Sequence, residues 1–365
     1  MKLLKLKPCD NTFFRDGKVF EKGYNNAVQS KDMPYPSVFS GAIFTALLAN
    51  NEHLRKEFMK NPSVEEKRKI LKIGQVYLYN ERTRDIYIPA PKDIFRNKYG
   101  EIYFGKFDDM GEGMSSLTYK KVLMSPKVSG IKRVSREFIN IKNIYREYKK
   151  KSYLGMDLIH EDEIFKKNYK VGVGTDYNKR MVGEDLLYRI EQTEFESSDW
   201  SFVVEYNIKY DYLKGEYGIG IENNISDLNS GYLKLGGENK ICRYENIENK
   251  YISRFHKSIE KGLNMKSDLI KIIFTTDTYF INEDYKDCFF EKRVAGMSND
   301  KPIYIGGFDV KENKPKVMFK GYEAGTIFLV RKNNDSLEDI KAELNNLIGD
   351  SVYEGFGKYI FMGEE

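Results

Sequence analysis

The chain has 365 residues, which is long enough for two domains or one heavily inserted domain and for a full core. Its 41% hydrophobic and 32% charged residues exclude a disordered or collagen-like chain. A net charge of +5, from 60 basic and 55 acidic side chains, signals a polyanionic partner only where it is clustered. Abundant Lys, Asn, Ile and Tyr is also the mark of an AT-rich genome, so the lysine count alone assigns nothing. The scattered Cys9, Cys242 and Cys288 supply neither a disulfide framework nor the CxxC pairs of a zinc site, which fits a reducing cytoplasm. No signal-peptide core is visible at the start, and no apolar run approaches the roughly 20 residues that cross a bilayer.

Residues 2–7 alternate Leu and Lys as a half-buried strand does, and run into a loop over 8–17. A helix follows, with Pro36 and Ser37 at its start, Ser37 as N-cap, an apolar stripe of Phe39, Ile43, Ala46 and Leu47, and an end at Asn50 and Asn51. Residues 63–72 predict a second helix, and 76–79 and 85–88 predict strands closed by the rigid Pro89-Ala90-Pro91. The polar, glycine-dotted stretch from 96 to about 135 has the profile of an insertion, a projecting loop or hairpin. Helical spacing returns at Ile141, Ile144, Tyr145 and Tyr148, and strand patterns at 169–173, 187–193 and 201–208. Residues 239–267 are polar, with a helix at 252–261, and a domain boundary falls near their end. Beyond it come strands at 269–275, 303–308 and 326–331, a helix over 337–348 capped by Ser336, and a strand at 359–362. With a helix between the first two of these strands, the order is β-α-β-β-α-β, the ferredoxin-like plan.

Several segments carry a family resemblance. They are Phe13-Phe14-Arg15-Asp16-Gly17-Lys18-Val19-Phe20, Pro34-Tyr35-Pro36-Ser37, Tyr87-Ile88-Pro89-Ala90-Pro91-Lys92-Asp93 and Val171-Gly172-Val173-Gly174-Thr175-Asp176 with Leu187-Tyr188. Further on stand Leu235-Gly236-Gly237-Glu238, Ile305-Gly306-Gly307-Phe308-Asp309, Glu323-Ala324-Gly325-Thr326 and Gly355-Phe356-Gly357. In this order they resemble the RAMP superfamily of CRISPR proteins, and within it the family of the third Cmr subunit. Phe44 stands where relatives often carry an arginine, and Asn239 interrupts the second glycine turn. The resemblance implies an α+β fold of two ferredoxin-like (RRM-like) domains, 1–265 with large insertions and 266–365. It implies a non-catalytic subunit of a type III-B effector that binds the 5′ handle of the CRISPR RNA. Its partners would be the large polymerase-like subunit and the first backbone subunit, with no cofactor, membrane or small-molecule substrate, and target sequence would be read by base pairing. The related alternatives are a metal-independent ribonuclease and the equivalent type III-A subunit.

Candidate RNA contacts follow. Free N–H groups at the start of the first helix, with Ser37, Ser40 and Arg15, can hold a phosphate; equally, Ser37 can simply cap the helix. Gly236-Gly237 and Gly306-Gly307 let a nucleic-acid backbone approach, or form ordinary turns. Lys132, Arg133 and Arg136 open the densest basic stretch, which continues through Lys142, Arg146 and Lys149–Lys151. They suit phosphate neutralisation or a solvated face, while Tyr145 and Tyr148 lie on the apolar stripe and belong to a core. Residues 354–361 match an RNA-recognition-motif signature only in part, since Glu354 replaces its basic residue and Lys358 an aromatic. Gly172-x-Gly174 and Gly218-x-Gly220 each lack the third glycine of a dinucleotide fingerprint, and there is no P-loop. His160 beside Glu161-Asp162-Glu163 reads as a solvated turn. His53 is the candidate general acid or base of the ribonuclease alternative, without a recognisable Tyr or Lys partner, and His256 is no better placed.

Overall fold

The computed structural model describes residues 1–15, 29–111, 120–151, 155–175, 182–218, 228–261, 267–309 and 314–364. The expected α+β class is observed, built on two main sheets that pair antiparallel except at one strand junction. The first is eight-stranded, in the spatial order Leu158–His160, Glu137–Asn140, Asp85–Pro89, Leu71–Asn80, Trp200–Ile208, Lys2–Pro8, Ile241–Ile247 and Ser230–Lys234. The second is six-stranded, in the order Tyr359–Gly363, Leu269–Phe274, Ile327–Arg331, Val294–Ser298, Lys121–Met124 and Lys106–Asp109.

The same plan recurs in both sheets. Taking Lys2–Pro8, Leu71–Asn80, Trp200–Ile208 and Ile241–Ile247 in chain order, their spatial order is fourth, first, third, second. Leu269–Phe274, Val294–Ser298, Ile327–Arg331 and Tyr359–Gly363 repeat it. Helices Pro36–Asn50 and Tyr210–Tyr217 occupy the two connections in the first set, and Glu283–Arg293 and Leu337–Ile348 those in the second. The second strand of the C-terminal set is therefore Val294–Ser298 and not 303–308; Ile303–Ile305 joins a small sheet with Phe319–Tyr322 and Thr278–Tyr279. The helix before it is capped by Asn282, whose side chain accepts from the Tyr285 N–H.

Strand alternation distributes side chains to three cores. Leu4, Leu6, Val76, Leu78, Phe202 and Val204 pack under the first helix against Phe39, Ile43 and Leu47. The opposite face, with Leu3, Tyr77 and Val203, meets Ile273, Ile327, Leu329 and Ile360 of the other sheet. The outer face of the C-terminal sheet, Ile270, Ile272, Phe328 and Val330, is covered by Leu337, Ile340, Leu344 and Leu347. The layers thus run helix, sheet, sheet, helix. Part of the 96–135 insertion forms a hairpin, Lys106–Asp109 with Lys121–Met124, which does not stand clear but extends the C-terminal sheet. Its Lys121 lies beside Gly296, where an added Cβ would come within 2.7 Å of the Lys121 carbonyl, so glycine permits the junction. The boundary read at 265/266 falls outside the described residues.

Lys92-Asp93 clasps the two halves. Asp93 is buried and accepts from the Tyr148 hydroxyl at 2.8 and 2.9 Å and from Lys271 Nζ at 2.7 Å, and Lys271 also meets Glu364 at 2.6 Å. Burial works to lower the Lys271 pKa; the charges of Asp93 and Glu364 outweigh it and hold the group above its ordinary value. Removing Asp93 leaves buried Lys271 with Glu364 alone and takes the acceptor from the buried Tyr148 hydroxyl. Asp93→Ala is expected to cost roughly 3–5 kcal/mol, read as a lowered thermal midpoint, and Asp93→Leu with Lys271→Met should recover part of it.

Candidate nucleic-acid interface

The start of the first helix is fixed by Tyr35 rather than by a polar cap. The helix begins at Pro36, its N-cap is Tyr35 with no side-chain cap, and the Val38 N–H bonds to the Tyr35 carbonyl at 2.9 Å. Ser37 is therefore a half-buried first-turn residue and not the N-cap, while the Ser40 hydroxyl is buried without a hydrogen-bond partner among the described residues. The Tyr35 hydroxyl donates to the Tyr304 carbonyl at 3.1 Å, and its ring packs with Tyr279, Ile305 and Phe356. Lys31 Nζ lies 3.7 Å from the centre of that ring and 2.9 Å from Asp277, which also accepts from the Ala324 N–H at 3.0 Å. Gly325 passes so close to Ala90 that a Cβ would come 2.3 Å from its carbonyl, and the Lys92 N–H bonds to the Gly325 carbonyl at 2.9 Å. Segments widely separated in sequence, at 34–37, 89–93, 305–307, 323–326 and 355–357, thus meet at one junction between the halves.

A cleft of about 280 Å³ opens at this junction. Its cations are spent on carboxylates. Lys92 reaches Asp300 and Glu323, each at 2.5 Å. Arg133, beside the cleft rather than in its lining, pairs with Asp300 and donates to the Asn299 carbonyl at 3.0 Å. Arg136 pairs with Glu161 and with Asp162 at 3.0 Å, and approaches Asp32 at 3.8 Å. Burial and the nearby Asp32 charge push Glu161 up to about 7 against the pull of Arg136. A cleft with this surplus of carboxylates does not attract phosphate. Of the basic stretch, Lys142 is held by Asp85 at 2.5 Å and lies 4.3 Å from the Tyr251 ring centre, and Tyr148 is core. The Tyr145 side chain lies outside the described residues. Lys132, Arg146, Lys149 and Lys150 are exposed and make no ion pair among the described residues. Arg15 is exposed, with a backbone bridge to Ser30, and residues 16–20 of its motif lie outside the described residues.

The two glycine pairs differ in kind. Gly236 has φ +78, and a Cβ there would come 2.6 Å from the Phe13 carbonyl; at Gly237 it would come 2.8 Å from the Phe13 ring. This turn seats the segment before Arg15. At Gly306 and Gly307, by contrast, φ is not positive and a Cβ would meet nothing closer than 3.8 and 3.5 Å, so nothing among the described residues requires glycine. Around this second pair stand Tyr304, 53% exposed, and Val317 and Met318, 75% and 46% exposed. Lys301, Lys316 and Lys320 are also exposed and make no ion pair among the described residues. An exposed aromatic, unpaired lysines and an open backbone are the parts of a single-strand binding surface. The sequence named Gly306-Gly307 as a candidate contact and did not point to Tyr304 or Lys316, because a Tyr and a Lys near a Gly pair carry no periodic signal.

A separate two-stranded hairpin, Phe165–Thr175 with Val182–Phe195, presents Tyr169 with Arg189 3.9 Å from its ring centre. Among the histidines, His53 is exposed on Glu52–Phe58, and His160 accepts from the Asp162 N–H at 3.2 Å. His256 meets buried Glu205 at 2.5 Å and the Tyr77 hydroxyl at 3.5 Å. The 354–361 stretch contributes Ile360 and Phe361 to two different cores, so no open sheet face displays them.

The family model for CRISPR-associated protein (Cas_Cmr3) matches residues 4–364. The chain belongs to this family. The resemblance carried by the motifs is thereby borne out. Among solved structures, a chain of the type III-B Cmr-beta complex bound to cognate target RNA and AMPPnP aligns over 99% of both chains, with 16% identity and a TM-score of 0.53. A chain of the same type of complex bound to cognate target RNA aligns over 98% of this chain and 96% of its own, with 16% identity and a TM-score of 0.54. At that identity the likeness is one of fold. No curated protein matches the sequence. No helix among the described residues is long and apolar enough to cross a membrane.

The contrast between the glycines is measurable as stability. Gly236→Ala is expected to cost at least about 1–3 kcal/mol through forced positive φ and the Phe13 contact. Gly306→Ala should stay within about 0.5 kcal/mol of the parent in the same thermal scan.

Proposed function

We propose that the chain is the non-catalytic subunit of a cytoplasmic type III-B effector that holds the 5′ handle of the CRISPR RNA and joins the large polymerase-like subunit to the first backbone subunit. In this reading the repeated spatial order of strands is a pair of ferredoxin-like units. The family match over residues 4–364 supports type III-B over the type III-A equivalent. The observation that carries RNA binding is the surface at Gly306-Gly307, where nothing among the described residues needs glycine and where Tyr304 and lysines without an ion pair among those residues are exposed. Lysines there would neutralise backbone phosphates, and Tyr304 would stack on an unpaired base. The start of the first helix, with Ser37 and Ser40, adjoins this surface through the bond from Tyr35 to Tyr304.

The test is binding of the purified chain to labelled CRISPR RNA with an intact or scrambled 5′ handle, across salt and with EDTA present. Handle-dependent, salt-sensitive binding without cleavage is expected. Tyr304→Ala should remove about 1–3 kcal/mol of binding at an unchanged thermal midpoint, and His53→Ala should change nothing. Cleavage in EDTA that His53→Ala abolishes, or binding indifferent to the handle, would overturn the reading.

A further inference from the structure

A second group of cations lies on the seam between the halves, apart from the cleft and its carboxylates. Lys72 stands on the strand Leu71–Asn80, and Lys209 follows the end of the neighbouring strand Trp200–Ile208 as the N-cap of the helix Tyr210–Tyr217. Asn207 is the register partner of Lys72, the Lys209 N–H bonds to the Ile70 carbonyl at 2.8 Å, and the Lys209 charge reaches Lys72. Lys72 Nζ lies 5.5 Å from the Tyr353 ring centre, and Lys358 Nζ donates to the Val352 carbonyl at 2.9 Å. Two ammonium groups from opposite halves therefore converge on adjacent residues of the turn Gly349–Tyr353.

No acid answers them. Among the described residues, Lys72, Lys209 and Lys358 make no ion pair, and the carboxylates nearby are engaged elsewhere. Glu354 is taken by Lys67 at 3.6 Å and Arg68 at 3.5 Å. Glu205, whose charge reaches Lys358, is held by Tyr77, His256 and the Gln75 N–H. Lys341, which also faces Lys72, is paired with Glu338 at 3.3 Å. Burial and the charge of Lys72 push Lys358 down to about 7, and burial with the charges of Lys209 and Lys341 lowers Lys72. Like charges gathered without a counter-ion weaken the free chain, and an anion bound among them removes the penalty. Tyr353 offers a 37% exposed ring at the same place. The Lys316 charge reaches Lys67, so the helix Val64–Ile70, whose Lys67 and Arg68 are paired with Glu354, lies between the Gly306-Gly307 surface and Lys72.

We propose that Lys72, Lys209 and Lys358 form a second phosphate-binding subsite, which carries a single-stranded RNA backbone along the seam beyond Gly306-Gly307 with Tyr353 against a base. The RNA identity rests on the reading of the preceding subsection; the anion site does not. When phosphate binds at pH 8, the Lys358 amine takes a proton from the buffer and becomes ammonium.

Two probes separate the claims. Tripolyphosphate is titrated calorimetrically at pH 8 in two buffers of different ionisation heat, and single-stranded RNAs of increasing length are titrated across salt. The full chain is compared with Lys72→Gln/Lys209→Gln/Lys358→Met, whose thermal midpoint should equal or exceed the parent's, and with the charge-keeping Lys72→Arg. Expected are tripolyphosphate binding with net proton uptake, lost in the triple variant and kept in Lys72→Arg. For RNA, the affinity gained by lengthening the strand should vanish in the triple variant and the salt slope become shallower by about 2. Tripolyphosphate binding without RNA binding would keep the subsite and sink the RNA reading. RNA binding with an unchanged slope in the triple variant, and no tripolyphosphate binding, would sink the subsite alone. Neither ligand binding would sink both.

Discussion

The architecture depends on the burial of two sheet faces against each other. Tyr77 and Val203 from one sheet and Ile273, Ile327, Leu329 and Ile360 from the other are almost wholly removed from water. At roughly 1.5–3 kcal/mol for each large apolar side chain so buried, this layer is the main reason the halves stay together. It also sets a demand: any polar group caught there must be paired. Gln75 and Thr275 meet this by bonding to each other across the junction at 2.5 Å, and Glu205 by accepting from Tyr77 at 2.6 Å. Lys92 and Asp93, consecutive in sequence, send a cation and an anion into the C-terminal half and find opposite partners in it.

The same burial restricts how a nucleic acid can be held. A fold whose sheet face is open can stack bases on that face; here each sheet has one face under helices and the other under its counterpart. Contact is left to loops, strand edges and the seam. There the deciding variable is where carboxylates fall. The cleft at the junction collects Asp32, Glu161, Asp277, Asp300 and Glu323 around its cations, so it is glued rather than charged. Among the described residues, the lysines at the Gly306-Gly307 rim and at the Lys72 seam lack such partners.

The strongly patterned parts of the fold were legible. Leu4 and Leu6, the stripe Phe39, Ile43 and Leu47, and the Ser336-capped helix Leu337–Ile348 lie where alternation and helical spacing put them. Val294–Ser298 was not legible, because Ala295, Gly296 and Ser298 have little strand preference and are held by burial between neighbouring strands. The helix Glu283–Arg293 shows Phe289 and Phe290 to the core amid charged residues, which leaves hardly any apolar period to read. The N-cap at Ser37 failed because two prolines fix the backbone around Tyr35, whose hydroxyl is used across the junction instead. The site was legible only as separate motifs. Their convergence is a tertiary fact, and Lys72, Lys209 and Lys358 are brought together by a strand, the link beyond its neighbour and a turn that no local spacing encodes.

The fate of the basic residues follows from their chemistry. A guanidinium offers a planar fork that suits carboxylates and carbonyls together, and Arg133, Arg136 and fully buried Arg293 all use it within the chain. Arg293 is the extreme case, bonded to Glu343, Asp335 and the Lys332 carbonyl with no exposed side-chain surface. The cations left without acids at the rim and the seam, among the described residues, are lysines. A lysine is a point charge with rotatable donors, well suited to a phosphate and poorly suited to reading a base edge. A strand bound by these surfaces would be held through its backbone, and discrimination among bases would fall to Tyr304, Tyr353 and the open peptide groups of Gly306 and Gly307.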